Sequence, residues 1–220
     1  MLVAVAVAVA VAVAMLAPGP CGARDRTPGW IATSNSGCHV WNPGVPTDWT
    51  VIWAGGCENG LAQGQGELRW SAAGQVVVRY LGGFLAGKLN GHGVMTFPNG
   101  ERREAEWRDN NRNGPGTTLY GNGDRYTGAF RDDQMSGHGV LAFASGDRYD
   151  GEFLNDAFAG HGVKTWPNGD RYDGEWREGE ANGLGHLVSG GESFDGIWHD
   201  GCFRSAGGWI AIDVEAASCR

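Results

Sequence analysis

A 23-residue repeat constrains this chain more than any other feature. GHGVMTFPNGERREAEW begins at Gly91, GPGTTLYGNGDRYTGAF at Gly114, GHGVLAFASGDRYDGEF at Gly137 and GHGVKTWPNGDRYDGEW at Gly160, each 23 residues after the last. Imperfect units flank them. One opens at Gly64 and runs about four residues long, one opens at Gly183 and falls one residue short, and a half unit precedes them from Trp53. A repeat this short is one supersecondary unit that must stack on its neighbours to bury anything. Glycine makes up 39 of the 220 residues, more than twice the usual share of about 7%. Glycine weakens helix and strand interiors alike, so helix-rich folds are excluded, and the absence of a G-X-Y period excludes collagen.

Within a unit the pattern is that of a β-hairpin. Val163 to Trp166 is a short strand-like run, Pro167-Asn168-Gly169 is a turn, and Arg171 to Trp176 returns. The polar stretch 177–182 leads to the next unit. Alternation puts Tyr172, Gly174 and Trp176 on one face and Arg171, Asp173 and Glu175 on the other. A three-residue loop places Trp166 with the rings, whereas a two-residue loop places it opposite, because a one-residue slip exchanges faces. Three is the reading adopted. Gly174 then leaves space across which rings of adjacent units can pack.

These motifs resemble the MORN family (membrane occupation and recognition nexus repeats), whose unit has a GxG opening, an NG-type turn and Tyr-x-Gly-x-Trp/Phe. Gly160, Gly162, Asn168, Gly169, Tyr172, Gly174 and Trp176 meet it, as do Tyr149, Gly151, Phe153 and Tyr126, Gly128, Phe130. The resemblance covers about residues 53–203. The unit 91–113 departs from it, with Arg103 in place of Tyr and Ala105 in place of Gly, and is expected to pack less tightly. The expected fold is all-β: an elongated, single-layer antiparallel β-meander of stacked hairpins with disulfide-stapled ends. The resemblance also implies a binding or scaffold role, with membrane association through phospholipids as the family's name suggests.

Residues 2–16 are uncharged and apolar, and Pro18 and Pro20 follow. Fifteen residues are too few to span a bilayer and suit the core of a signal peptide, with a small-residue cleavage site at 21–23. Residues 1–23 read as a signal peptide, 24–52 as an N-terminal cap, 53–203 as the repeat array and 204–220 as a C-terminal cap. The expected location is secreted or periplasmic, and the export signal with flanking cysteines looks like bacterial exported members of the family. Cleavage leaves Cys38, Cys57, Cys202 and Cys219. An even number in an exported chain reads as two disulfides with three connectivities. The sequence-local pairing Cys38–Cys57 and Cys202–Cys219, one at each end of the array, is favoured over free thiols.

The net charge is -8 and the sequence pI about 5.2, with no basic patch, which argues against nucleic acid. No GxSxG, P-loop, HExxH or Cys–His nucleophile pattern is present, so no enzyme and no cofactor are expected. His92, His138 and His161 recur as Gly-His-Gly. Units spaced about 10 Å apart cannot share one zinc, whose ligand atoms sit within about 4 Å of each other. Asp173 and Glu175 read as a solvated charged face, and the Asn-Gly-Asp loops as turns rather than calcium sites. The candidate binding residues are the aromatic stripe Tyr126, Phe130, Tyr149, Phe153, Tyr172 and Trp176, with Trp166. The stripe is either core or an open trough for a partner. A protein partner is expected first, then a phospholipid membrane, then glycan or cell envelope. Open sheet edges would also permit a homodimer.

Overall fold

The computed structural model describes residues 28–42, 44, 46 and 48–219. The apolar leader and its cleavage site lie outside them. A short hairpin, β1 (Gly29–Ala32) and β2 (His39–Asn42), precedes the array. Long strands follow: β3 (Thr50–Glu58), β4 (Leu61–Ala72), β5 (Gln75–Leu85), β6 (Lys88–Thr96), β7 (Arg102–Arg108) and β8 (Asn111–Leu119). They continue as β9 (Arg125–Arg131), β10 (Gln134–Ala142), β11 (Arg148–Leu154), β12 (Ala157–Thr165), β13 (Arg171–Arg177), β14 (Glu180–Ser189) and β15 (Glu192–Trp198). From β3 to β15 each strand pairs antiparallel with the next, and β1–β2 joins the same open sheet through a single parallel pair, His39 with Leu61. A separate hairpin, β16 (Cys202–Ser205) and β17 (Gly208–Ala211), and a short 3-10 turn at Ala216–Ser218 end the chain. The expected all-β, single-layer meander of hairpins is the observed architecture.

Two kinds of turn alternate along it. At Pro167-Asn168-Gly169 the Trp166 N–H bonds to the Asp170 carbonyl (3.0 Å) and the Gly169 N–H to the Trp166 carbonyl (3.0 Å), which closes a three-residue loop. Gly169 takes φ +92° there, a conformation that costs glycine little. The opposite turns are tighter than the sequence suggested. Residues 177–182 are not a loose connection: Arg177 ends β13, Glu180 opens β14, and only Glu178-Gly179 lies between. Both have positive φ, as do Asp109-Asn110, Asp132-Asp133 and Asn155-Asp156, the requirement of a two-residue type I′ turn.

These tight turns tie one unit to the next. The second residue of each donates its N–H to a carbonyl near the start of the preceding unit: Asn110 to Leu89, Asp133 to Arg112, Asp156 to Met135 and Gly179 to Phe158, at 3.0–3.2 Å. The Asn110, Asp133 and Asp156 side chains accept the N–H of Leu89, Arg112 and Met135 in return, at 2.8–3.0 Å. The repeat spacing is thus held by hydrogen bonds outside the strand ladder.

A row of glycines crosses the whole sheet. Cross-strand pairing links Gly55, Gly66, Gly82 and Gly93, then Ala105, then Gly116, Gly128, Gly139, Gly151, Gly162, Gly174, Gly185 and Gly196. The tyrosine two residues before one glycine lies over it and its neighbour. A Cβ on Gly174 would meet Tyr172 Oη at 2.6 Å, and one on Gly162 would meet Tyr149 Oη at 2.3 Å. The GxG signature therefore has two separate causes. The second glycine makes room for a ring. The first, such as Gly160 at φ +54°, falls where the register shifts between β11 and β12, a bulge that needs left-handed backbone.

The ends are stapled as expected, by Cys38–Cys57 and Cys202–Cys219, with Cα separations of 5.9 and 5.6 Å. Both caps fold onto the ring-bearing face. Cys38 and Val40 are buried with Val51, Trp53 and Leu68, and Ile212 is buried with Leu187 and Trp198.

Candidate functional site

The ring-bearing face has three rows, each following from the repeat. Tyr80, Tyr126, Tyr149 and Tyr172 form the first, and Phe84, Trp107, Phe130, Phe153, Trp176 and Trp198 the second. Every tyrosine of the first row meets the ring four residues on and the equivalent ring of the next unit edge to face. Tyr149 lies 5.2 Å from Phe153 and 5.4 Å from Trp176, and Tyr172 lies 5.2 Å from both Trp176 and Trp198. Each hydroxyl donates to the carbonyl three residues later, Tyr126 to Ala129 at 2.9 Å and Tyr149 to Glu152 at 3.0 Å. Of the expected stripe, Tyr126, Phe130, Tyr149, Phe153, Tyr172 and Trp176 are no more than 4% exposed. They are buried by one another and by residues of the same sheet such as Leu141 and Phe158, without a second layer over the centre of the array. Burial pushes the Tyr126 hydroxyl up to about 12, and those of Tyr80, Tyr149 and Tyr172 further in the same direction.

Trp166 belongs to a third row, which sequence reasoning otherwise missed. Phe97, Tyr120, Phe143 and Trp166 each close a three-residue turn, 23 residues apart, and all four are half-buried. The signal was present, since an aromatic residue precedes each of these turns, but hydropathy alone cannot place it at the rim. Beside Tyr120 a cavity of about 380 Å³ opens between Asn99, Asn122, Asp124 and Leu141, with no cap residue in its lining. Lys164 is buried between Phe143 and Trp166, 5.7 and 5.1 Å from their ring centres, and pairs with Asp213 of the C-terminal cap at 2.5 Å.

The first row breaks at one place. Arg103 stands where the other units carry Tyr or, at Phe194, Phe; it lies over the Phe97 ring at 4.9 Å and is bonded to Glu101. Arg112 stands where others have Leu89, Met135, Phe158 or Ala181. It pairs with Asp133 at 2.8 Å, donates to Thr118 at 2.9 Å and lies 4.2 Å over Phe130. The buried side chains accordingly form two clusters, one ending at Trp107 and one beginning at Tyr126.

The opposite face carries most of the charged side chains, with exposed Leu81, Leu184 and Ile197 among them. His138 meets Asp150 at 3.1 Å, His161 meets Asp173 at 2.9 Å and His186 meets Asp195 at 2.6 Å. These are exposed pairs that contribute little to stability. Glu67, held between Arg69 and Arg79, has its carboxyl lowered to about 2 by those two hydrogen-bonded guanidinium groups. Among the described residues no group of three or more His, Cys, Asp or Glu converges as metal ligands.

An open sheet of repeated hairpins, capped at both ends and carrying its chemistry in rows, defines a repeat-array protein. The MORN repeat family model matches residues 54–72, 80–102, 104–125, 126–148, 149–171 and 172–191, and the chain belongs to that family. No curated protein matches it significantly. Among solved structures it is similar to the SAS-4 (dCPAP) TCP domain of Drosophila melanogaster, solved in complex with a proline-rich motif of Ana2 (dSTIL). The identity is 11%, the match covers 77% of this chain and 96% of that one, and the TM-score is 0.30. A superposition this loose carries no inference about this chain.

Proposed function

We propose that the array is an exported, non-enzymatic scaffold that docks a protein partner along its aromatic turn edge. The observation that supports this reading is the third row: Phe97, Tyr120, Phe143 and Trp166 are regularly spaced and partly exposed, and Tyr120 lines a cavity in the array. Tyr126, Phe130, Tyr149, Phe153, Tyr172 and Trp176 support that row from beneath, and Trp166 is the candidate binding residue that reaches solvent. Half-exposed rings on a rigid frame offer large contact area at little entropic cost. The net charge of -8 favours a protein over an anionic bilayer.

The test is a double variant, Tyr120→Ser with Phe143→Ser, compared with wild type in two assays. Protein captured from the native extracellular or envelope fraction should fall at least tenfold while the melting curve stays cooperative. Anionic phospholipid vesicles should sediment neither form at 0.5 M salt. Unchanged capture, or sedimentation of wild type with vesicles at high salt, contradicts the proposal, the latter in favour of membrane association.

A further inference from the structure

A second cavity opens beside Arg103, apart from the turn-edge row. It holds about 540 Å³ on the ring-bearing face, within the range of pockets that take small organic ligands. Trp70, Phe84, Leu89 and Trp107 form its walls, each no more than 5% exposed, and Trp41 of β2 also lines it. One observation points to the chemistry of an occupant. Arg103 lines the cavity; Glu101 engages its Nε and Nη2, and among the described residues nothing engages Nη1. The carboxylates at the rim are already neutralised, Asp133 by Arg112 at 2.8 Å and Asp109 by Lys88 at 3.3 Å.

The geometry points to a binding site for a small organic anion here: a flat or branched apolar body lies among the indole and phenyl walls, and its carboxylate or sulfonate meets Arg103. Apolar walls provide affinity through burial, and a guanidinium provides the polar anchor because its planar donors match an oxyanion. This inference does not depend on a protein partner and stands or falls separately from the scaffold reading.

The experiment titrates the full chain, disulfides intact, with two fluorescent probes of similar shape: anionic anilinonaphthalene sulfonate and neutral phenylnaphthylamine. Both should bind saturably at one site per chain, with energy transfer from tryptophan. Arg103→Gln, at a partly exposed position where the fold is retained, should weaken the anionic probe at least tenfold and change the neutral one less than twofold. Met95→Trp, which places a ring in the cavity, should abolish both without lowering the melting temperature by more than a few degrees. No saturable binding by wild type overturns the inference. So does equal weakening of both probes by Arg103→Gln, or undiminished binding by Met95→Trp.

Discussion

At the scale of single residues, Tyr and Gly in this repeat are one choice rather than two. The tyrosine ring occupies the volume that a Cβ on the glycine row would need, so Gly162→Ala drives a methyl into Tyr149 and should cost about 1–3 kcal/mol, measured by chemical denaturation. The chain contains the converse case. Ala105 interrupts the glycine row in the unit whose ring is replaced by Arg103. A double-mutant cycle should therefore show coupling. Arg103→Tyr alone is destabilising because its ring meets the Ala105 methyl, Ala105→Gly alone costs roughly 0.5–1 kcal/mol, and together they should recover at least 1 kcal/mol relative to the sum. The same tyrosines set a pH limit. Their folded-state pKa lies above the unfolded value near 10, so the folded state holds its protons longer. Their contribution is complete below pH 10 and is lost as pH rises toward 12 and beyond, at roughly 1.4 kcal/mol per pH unit for each tyrosine. Denaturant midpoints should be flat from pH 8 to 9.5 and fall steeply above pH 10.5.

At the scale of strands and turns, the period-2 pattern was enough to place Tyr172, Gly174 and Trp176 on one face, because one residue type recurs at each register position. The three-residue loop was legible from Pro167-Asn168-Gly169, and with it the side of the sheet that Trp166 occupies. The type I′ turns were less visible. Glu178-Gly179 and Asp132-Asp133 sit in polar stretches with no apolar alternation to mark strand ends, although consecutive Asp, Asn and Gly residues suit positive φ. Arg112 was missed for a different reason: a charged side chain reads as solvated, and only the nearby Asp133, Thr118 and Phe130 reveal that it is held inside. The caps were legible only as cysteine pairs, since the docking of Asp213 on Lys164 joins residues 49 apart in sequence. That pair should behave asymmetrically. Asp213→Ala strands a buried ammonium and should cost about 3 kcal/mol, whereas Lys164→Leu, the residue type found at Leu141 and Leu187, should be neutral or stabilising. Thermal melts of the two variants decide it.

At the scale of the whole molecule, the sheet is its own core. Among the described residues only the two caps cover the ring-bearing face, and burial at its centre comes from rings leaning across glycines. Two ends then carry the boundary cost of the array, which is where the disulfides lie. Replacing Cys38 and Cys57 by Ala should cost about 3 kcal/mol for a loop of 19 residues and loosen the N-terminal half first, as hydrogen exchange would record. The face is therefore divided by depth: Tyr80, Tyr126, Tyr149 and Tyr172 are core, and the turn-edge row is partly exposed. Photochemically induced nuclear polarisation, with a flavin dye that must touch a ring to polarise it, tests this division directly. Tyr120 should polarise in the native protein, and Tyr80, Tyr126, Tyr149 and Tyr172 should stay dark until denaturant is added. Native-state polarisation of Tyr149 or Tyr172 would mean that the stripe is an open trough and would contradict the account.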